Sequence, residues 1–138
     1  HKLCGALRFV AFQEYVFPAT WTDGNFDGGI PEGATIQLDP SLNLAQFNLT
    51  EGELVVAKAL QKYGLVIIDF SVGTTIIAEW LGWQQDKSWD GVLRGWKIEG
   101  GIKSIPVKNY RVLKVENVQK GGDEKKEYFT KKLYFKEN

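Results

Sequence analysis

The chain has 138 residues, of which 43% are hydrophobic and 25% charged, a composition typical of one folded domain and unlike that of a disordered segment. Its 17 basic and 17 acidic side chains cancel, so the positive field that attracts a protein to nucleic acid is missing. No apolar run approaches the roughly 18 residues that a membrane helix needs. We therefore expect a single domain over residues 1–138, with no nucleic-acid partner and no membrane span.

The first part of the chain is expected to consist mostly of strands. Residues 3–12 are rich in apolar side chains, and residues 15–17 follow before a stop at Pro18. After a long turn-rich stretch, residues 34–38 alternate between apolar and polar side chains and are bounded by turn residues on both sides. This pattern predicts a short strand.

One helix is clearly indicated. Thr50 and Glu53 have the spacing of a capping box, and Gly64 can end the helix in a left-handed conformation. These signals predict a helix over residues 51–63. The continuous apolar run that follows, 65–70, is typical of a central strand buried on both faces.

The region after this strand carries weaker signals. Residues 74–80 are expected to form a strand. Trp89, Leu93 and Trp96 are spaced i, i+4 and i+7, which suggests a short helix capped by Ser88.

The C-terminal region is predicted to form a hairpin. Residues 110–118 and 127–135 read as strands on either side of Gly121 and Gly122. The expected fold class is therefore α+β: a β-rich, mainly antiparallel sheet or sandwich with one main helix and a C-terminal hairpin.

The segment D-x-N-x-D-G is the first candidate site. Asp23, Asn25 and Asp27 place oxygen atoms at alternate positions, as calcium loops do, and Glu32 adds a nearby carboxylate. An EF-hand is excluded because its twelfth position, which needs a glutamate, holds Ala34. The alternatives are a calcium site of another kind and an ordinary solvated turn.

The tryptophans are the second candidate site. Trp83 and Trp89 bracket a polar stretch, residues 84–88, and indole faces stack well on sugar rings. This arrangement suggests binding to a polysaccharide. The alternative is burial in the core, since Trp80, Trp89 and Trp96 have the spacing of inward-facing residues.

Asp69 is the third candidate, as a catalytic carboxyl group. It lies near the end of an apolar strand, where burial raises a carboxyl pKa and a loop gives access to substrate. A hydrolase or lyase needs a second carboxylate, for which Glu79, Asp86 and Asp90 are available. The alternative is a strand-end aspartate bonded to turn amides.

The chain contains few residues for histidine or cysteine chemistry. His1 is the only histidine and Cys4 the only cysteine, which argues against a zinc site, a copper site or a nucleophilic triad. We expect Cys4 to be a small buried hydrophobe.

Several short segments together resemble a largely uncharacterised family of exported microbial proteins. That family carries H-A-L, W-P-A, P-x-G-x-x-x-x-L and A-L-x-x-Y-G-x-x-x-x-D segments in this order. The corresponding segments here are His1-Lys2-Leu3, Phe17-Pro18-Ala19, Pro31-Glu32-Gly33 with Leu38, and Ala59-Leu60-Gln61-Lys62-Tyr63-Gly64 with Asp69.

The resemblance implies export and an extracellular or cell-surface location. Family members usually have a substantial region before the H-A-L segment, so the chain corresponds to the C-terminal part of a larger unit, with an upstream N-terminal fragment as a partner. The chain has Asp69-Phe70-Ser71 where the family often has Asp-Asn-Gly.

Three function classes follow. The first expectation is an exported domain that binds or processes glycans. The second is a structural or filament-forming subunit that self-assembles through strand edges. The third is a hydrolase or lyase that uses Asp69.

Overall fold

The structure is a computed structural model that describes residues 2–84, 86–90, 92–94 and 99–124. Within these residues the chain forms β-strands, one α-helix and three short 3₁₀ helices. The strands are β1 (Leu3–Leu7), β2 (Val10–Tyr15), β3 (Ile30–Glu32), β4 (Thr35–Leu38), β5 (Leu65–Phe70), β6 (Thr75–Ile77), β7 (Tyr110–Val112) and β8 (Gln119–Lys120). The helix α1 spans Glu51–Lys62, and the 3₁₀ helices span Leu44–Phe47, Gly101–Ser104 and Val107–Asn109.

The strands form two mixed sheets. The five-stranded sheet has the order β6-β1-β5-β4-β7, and the three-stranded sheet has the order β3-β2-β8. Strand β4 pairs antiparallel with both β5 and β7, whereas β2 pairs antiparallel with β8 and parallel with β3. The predicted α+β class with one main helix is confirmed, and β5 has the central position expected of it.

The described residues group into two compact units. Unit 1 comprises the described residues of His1–Gly5, Thr35–Val66 and Ile76–Leu113, and unit 2 comprises the described residues of Ala6–Ala34, Ile67–Thr75 and Lys114–Asn138. Strands β1 and β5 contribute residues to both units. The single domain over residues 1–138 stays a prediction, because a grouping of contacts does not measure whether the units fold together.

The core of unit 1 lies between α1 and the sheet. Ala57 and Leu60 on the buried face of the helix, Leu38 of β4 and Leu65 of β5 are almost completely buried. In α1 the capping box forms as predicted, and Gly64 has a positive φ of 75° just beyond the helix. The predicted helix is confirmed, one residue shorter at its C-terminal end.

The core of unit 2 is built around β2. Val10, Ala11 and Val16 are buried with Ala34 and Ile67. Burial of β5 is not continuous, because its later residues, Ile68 and Asp69, are exposed. The prediction that this strand is buried on both faces is therefore wrong for its C-terminal half.

Several predicted strands differ in extent. The strand expected over residues 3–12 is two strands, β1 and β2, separated by a bend at 8–9, and the strand expected over 74–80 is limited to β6. Of the strand expected over 110–118 only β7 forms, and it pairs with β4; β8, which pairs with β2, lies just beyond the predicted strand. Partners distant in sequence determine these boundaries.

The short helix predicted around Trp89 is not found in the described residues. Residues 88–90 and 92–94 form turns and an isolated bridge between Asp90 and Leu93. The Ser88 hydroxyl accepts a hydrogen bond from the Asp90 amide at 3.0 Å, so it stabilises a turn and not a helix. Trp96 and the predicted strand 127–135, the second half of the expected hairpin, lie outside the described residues.

Candidate functional site

Three tryptophans in unit 1 lie at the surface, in a segment that we call the tryptophan loop (the described residues of 80–89). Trp83 is 86% exposed, Trp80 is 69% exposed and Trp89 is 43% exposed. The prediction that spacing turns Trp80 and Trp89 inward is therefore wrong. The loop follows the three-residue strand β6, and no regular element carries these side chains into the core.

The rings of Trp80 and Trp83 contact each other at an angle. Their centroids are 5.3 Å apart and their planes meet at 77°, an edge-to-face arrangement that aromatic quadrupoles favour. The two indoles therefore form a corner and not a flat platform.

Gly82 allows this arrangement. A Cβ at this position would lie 1.9 Å from an atom of the Trp80 ring. The ring thus packs directly over the backbone of Gly82, and any side chain there would displace it.

Two contacts connect the tryptophan loop to its surroundings in unit 1. The indole N–H of Trp89 donates to the Glu79 carbonyl at 2.9 Å and closes the loop on itself. Just beyond the loop, Arg94 donates its backbone N–H to Glu53 at 3.3 Å, and its guanidinium lies 3.6 Å from the same carboxylate. The N-terminus of α1 therefore holds the segment that follows the loop.

Unit 2 contains a carboxyl pair. The Glu32 side chain hydrogen-bonds with the side chains of Asp23 and Thr22. Glu32 is only 6% exposed, and its Oε1 atom has no hydrogen-bond partner among the described residues. Burial, reinforced by the adjacent Asp23 carboxyl, raises the pKa of Glu32 from its ordinary 4.5 to about 7.

Backbone geometry fixes the position of this pair. Asp23 Oδ1 accepts the Phe70 amide at 3.1 Å, and Thr22 Oγ1 accepts the Gly24 amide at 2.9 Å. Gly33, directly after Glu32, has a φ of 85°, and a Cβ there would lie 1.7 Å from the Val16 carbonyl oxygen. This close approach holds the backbone at Glu32 and Gly33 against that of Val16.

The four predicted metal ligands are therefore only partly together. Asp23 and Glu32 are in contact, and Asn25 is buried on the same loop, whereas Asp27 is exposed. The described residues contain no group of three or more His, Cys, Asp or Glu side chains that could hold a metal ion. Sequence reasoning missed Thr22, and it identified Glu32 only by its distance along the chain.

The predicted catalytic residue, Asp69, is exposed to solvent. It lies near the end of β5, and Glu79, Asp86 and Asp90 are exposed as well. The burial that was expected for Asp69 is absent. Its catalytic role stays a prediction. Cys4, expected to be buried, is partly exposed.

Comparison of the chain with protein-family models, with curated proteins and with solved structures found no match. Among the described residues, no helix has the length and apolar character to cross a membrane. The assignment of function therefore depends on the two sites themselves.

Proposed function

We propose that the protein binds carbohydrate through its tryptophan loop, as an extracellular glycan-associated domain. The observation that carries the proposal is the exposure of Trp80, Trp83 and Trp89 within one short segment. Tryptophan is mostly buried in folded proteins, and clustered exposed apolar side chains commonly mark a binding surface.

The chemistry of the loop suits a sugar better than an apolar partner. A pyranose ring has an apolar face that stacks on indole and a rim of hydroxyl groups that need hydrogen bonds. Gln84, Asp86 and Ser88 supply amide, carboxylate and hydroxyl groups between the tryptophans. A neutral sugar as the ligand is also consistent with the formal net charge of zero.

The angle between the two contacting rings favours one kind of glycan. Flat crystalline polysaccharides present a plane, to which coplanar aromatic rings are complementary. Trp80 and Trp83 instead meet at 77°, so a sugar that stacks on one ring meets the other at its edge. This corner fits a single soluble chain or a chain end.

The export that we expect from the sequence resemblance is consistent with carbohydrate binding. Soluble polysaccharides are encountered mainly outside cells, and the resemblance of the chain to exported microbial proteins implies that location. Neither assembly through strand edges nor catalysis by Asp69 has a comparable observation in its favour.

Intrinsic fluorescence with a panel of soluble polysaccharides tests the proposal. At least one should shift or quench the emission, and Trp83→Ala should weaken that binding about tenfold, equivalent to ~1.4 kcal/mol, near the upper range for one aromatic contact. Trp21→Ala is the matched control, because Trp21 is an exposed tryptophan of unit 2. Its affinity should equal that of the wild type.

Gly82→Ala provides a second variant that removes no aromatic ring. The added methyl group displaces the Trp80 indole, so binding should weaken while the melting temperature stays close to that of the wild type. A panel on which no glycan perturbs the fluorescence, or Trp83→Ala binding as tightly as the wild type, would refute the proposal.

A further inference from the structure

We propose that Asp23 and Glu32 form a calcium site in unit 2, with the Thr22 hydroxyl as a neutral oxygen ligand. The proposal is independent of carbohydrate binding. It replaces the linear D-x-N-x-D-G loop with a pair of carboxylates brought together by the fold.

The first observation is an unsatisfied buried oxygen. Glu32 Oε1 is fully shielded from solvent and has no hydrogen-bond partner in the described part of the chain, although its residue is in contact with Asp23 and Thr22. Buried polar atoms are nearly always satisfied. A cation bound to this oxygen would satisfy it.

The second observation is the pairing itself. Two ionised carboxylates in direct contact repel each other unless a proton or a cation lies between them. The backbone amide of Phe70 holds the Asp23 side chain, and the close approach of Gly33 to Val16 fixes the backbone next to Glu32. Asp23 cannot turn away without breaking its contact with Phe70, so the fold keeps the two carboxyl groups together.

Burial decides what kind of ligand can reach the pair. Glu32 is 6% exposed, which excludes a glycan or another large substrate from its carboxyl group. Asp23 is only partly buried, so a small ion can enter from its side. The pair is therefore better suited to hold an ion than to act as a general acid and base on a polymer.

Calcium fits the oxygens better than magnesium does. Calcium accepts carboxylate and hydroxyl oxygens in irregular arrangements, whereas magnesium demands a near-ideal octahedron and usually retains several waters. The almost complete burial of Glu32 leaves little room for those waters.

Calorimetry and thermal unfolding of the chelator-treated full chain test the site. Millimolar calcium should release or absorb heat and should raise the melting temperature of the wild type, since a ligand that binds only the folded state stabilises it. Glu32→Gln should abolish both effects. Asp23→Asn, which retains an oxygen for the Phe70 amide, should weaken binding by at least about tenfold, because calcium affinity depends on the ligand charge.

Asp27→Asn is the matched control. Asp27 belongs to the original sequence motif but is exposed and outside any group of three acidic side chains among the described residues, so this variant should bind calcium like the wild type. The proposal is overturned if the wild type shows no heat and no shift, or if Glu32→Gln responds equally. Loss of binding in Asp27→Asn, or an equal response to magnesium, would overturn it as well. Circular dichroism of each variant confirms that its fold is retained.

Discussion

We expect Glu32 to make the stability of the protein depend on pH. Its pKa is about 7 in the folded chain against an ordinary 4.5, so folding binds a proton between these values. In calcium-free solution the contribution of Glu32 to the free energy of unfolding should be largest below about pH 4.5 and should be lost as the pH rises through about 7. At ~1.4 kcal/mol per pH unit, the loss approaches about 3 kcal/mol. Urea unfolding at a series of pH values measures it.

Glu32→Gln tests the assignment, because glutamine resembles the protonated carboxyl group and cannot ionise. Its stability should be nearly constant where that of the wild type falls, whereas Asp69→Asn, at an exposed carboxylate, should keep the wild-type slope. Hydrogen bonds from Ser41 lower the pKa of Asp39 below 3.8, and burial raises that of Tyr110 above 10. The titrations of Asp39 and Tyr110 therefore lie outside the pH range in which Glu32 titrates. A wild-type stability that increases over the same range would contradict the prediction.

At the scale of elements, the N-terminus of α1 is connected to the segment at Arg94 through Glu53. Glu53 is 1% exposed; it accepts the Thr50 amide at 2.9 Å and the Arg94 amide at 3.3 Å. Glu53→Ala removes the capping acceptor and leaves the Arg94 guanidinium without its carboxylate. We expect a loss of about 3 kcal/mol in the free energy of unfolding, the lower end for a broken buried ion pair, because Arg94 is partly exposed.

Glu51→Ala is the control for this prediction. Glu51 lies in the same helical turn but is exposed, so its loss should remove only the interaction with the helix dipole, at most about 1 kcal/mol. Urea unfolding of both variants measures the difference. Equal effects would show that the helix dipole, and not the contact with Arg94, accounts for the stability contributed by Glu53.

The same helix shows which elements sequence can predict. The Thr50 and Glu53 capping box and the Gly64 stop act within a few residues, so their pattern located α1 almost to the residue. Strands β7 and β8 are three and two residues long and pair with β4 and β2. Their limits depend on partners far away in the chain, which no local pattern encodes.

In the candidate sites, too, the sequence predicts local features but not contacts between distant residues. The sequence pointed to Trp83, Trp89, Asp23 and Glu32, since their residue types carry the chemistry. It could not show that Asp23 meets Glu32, because that contact requires β3 to lie parallel to β2. It also could not show that the tryptophans are exposed, because periodicity predicts the facing of side chains only within a regular helix or strand.

At the scale of the whole molecule, charge balance predicts how carbohydrate binding responds to salt. The formal net charge is zero, and the proposed contact is between indole faces and an uncharged sugar. Raising sodium chloride from about 0.05 to 0.5 M should therefore change the dissociation constant less than about twofold, whereas binding through several lysines would weaken by orders of magnitude. Fluorescence titrations at each salt concentration measure this, with heparin as the polyanionic comparison. A steep salt dependence, or tighter binding to heparin than to neutral glycans, would assign the interaction to surface lysines such as Lys114 and Lys120 instead of the tryptophan loop.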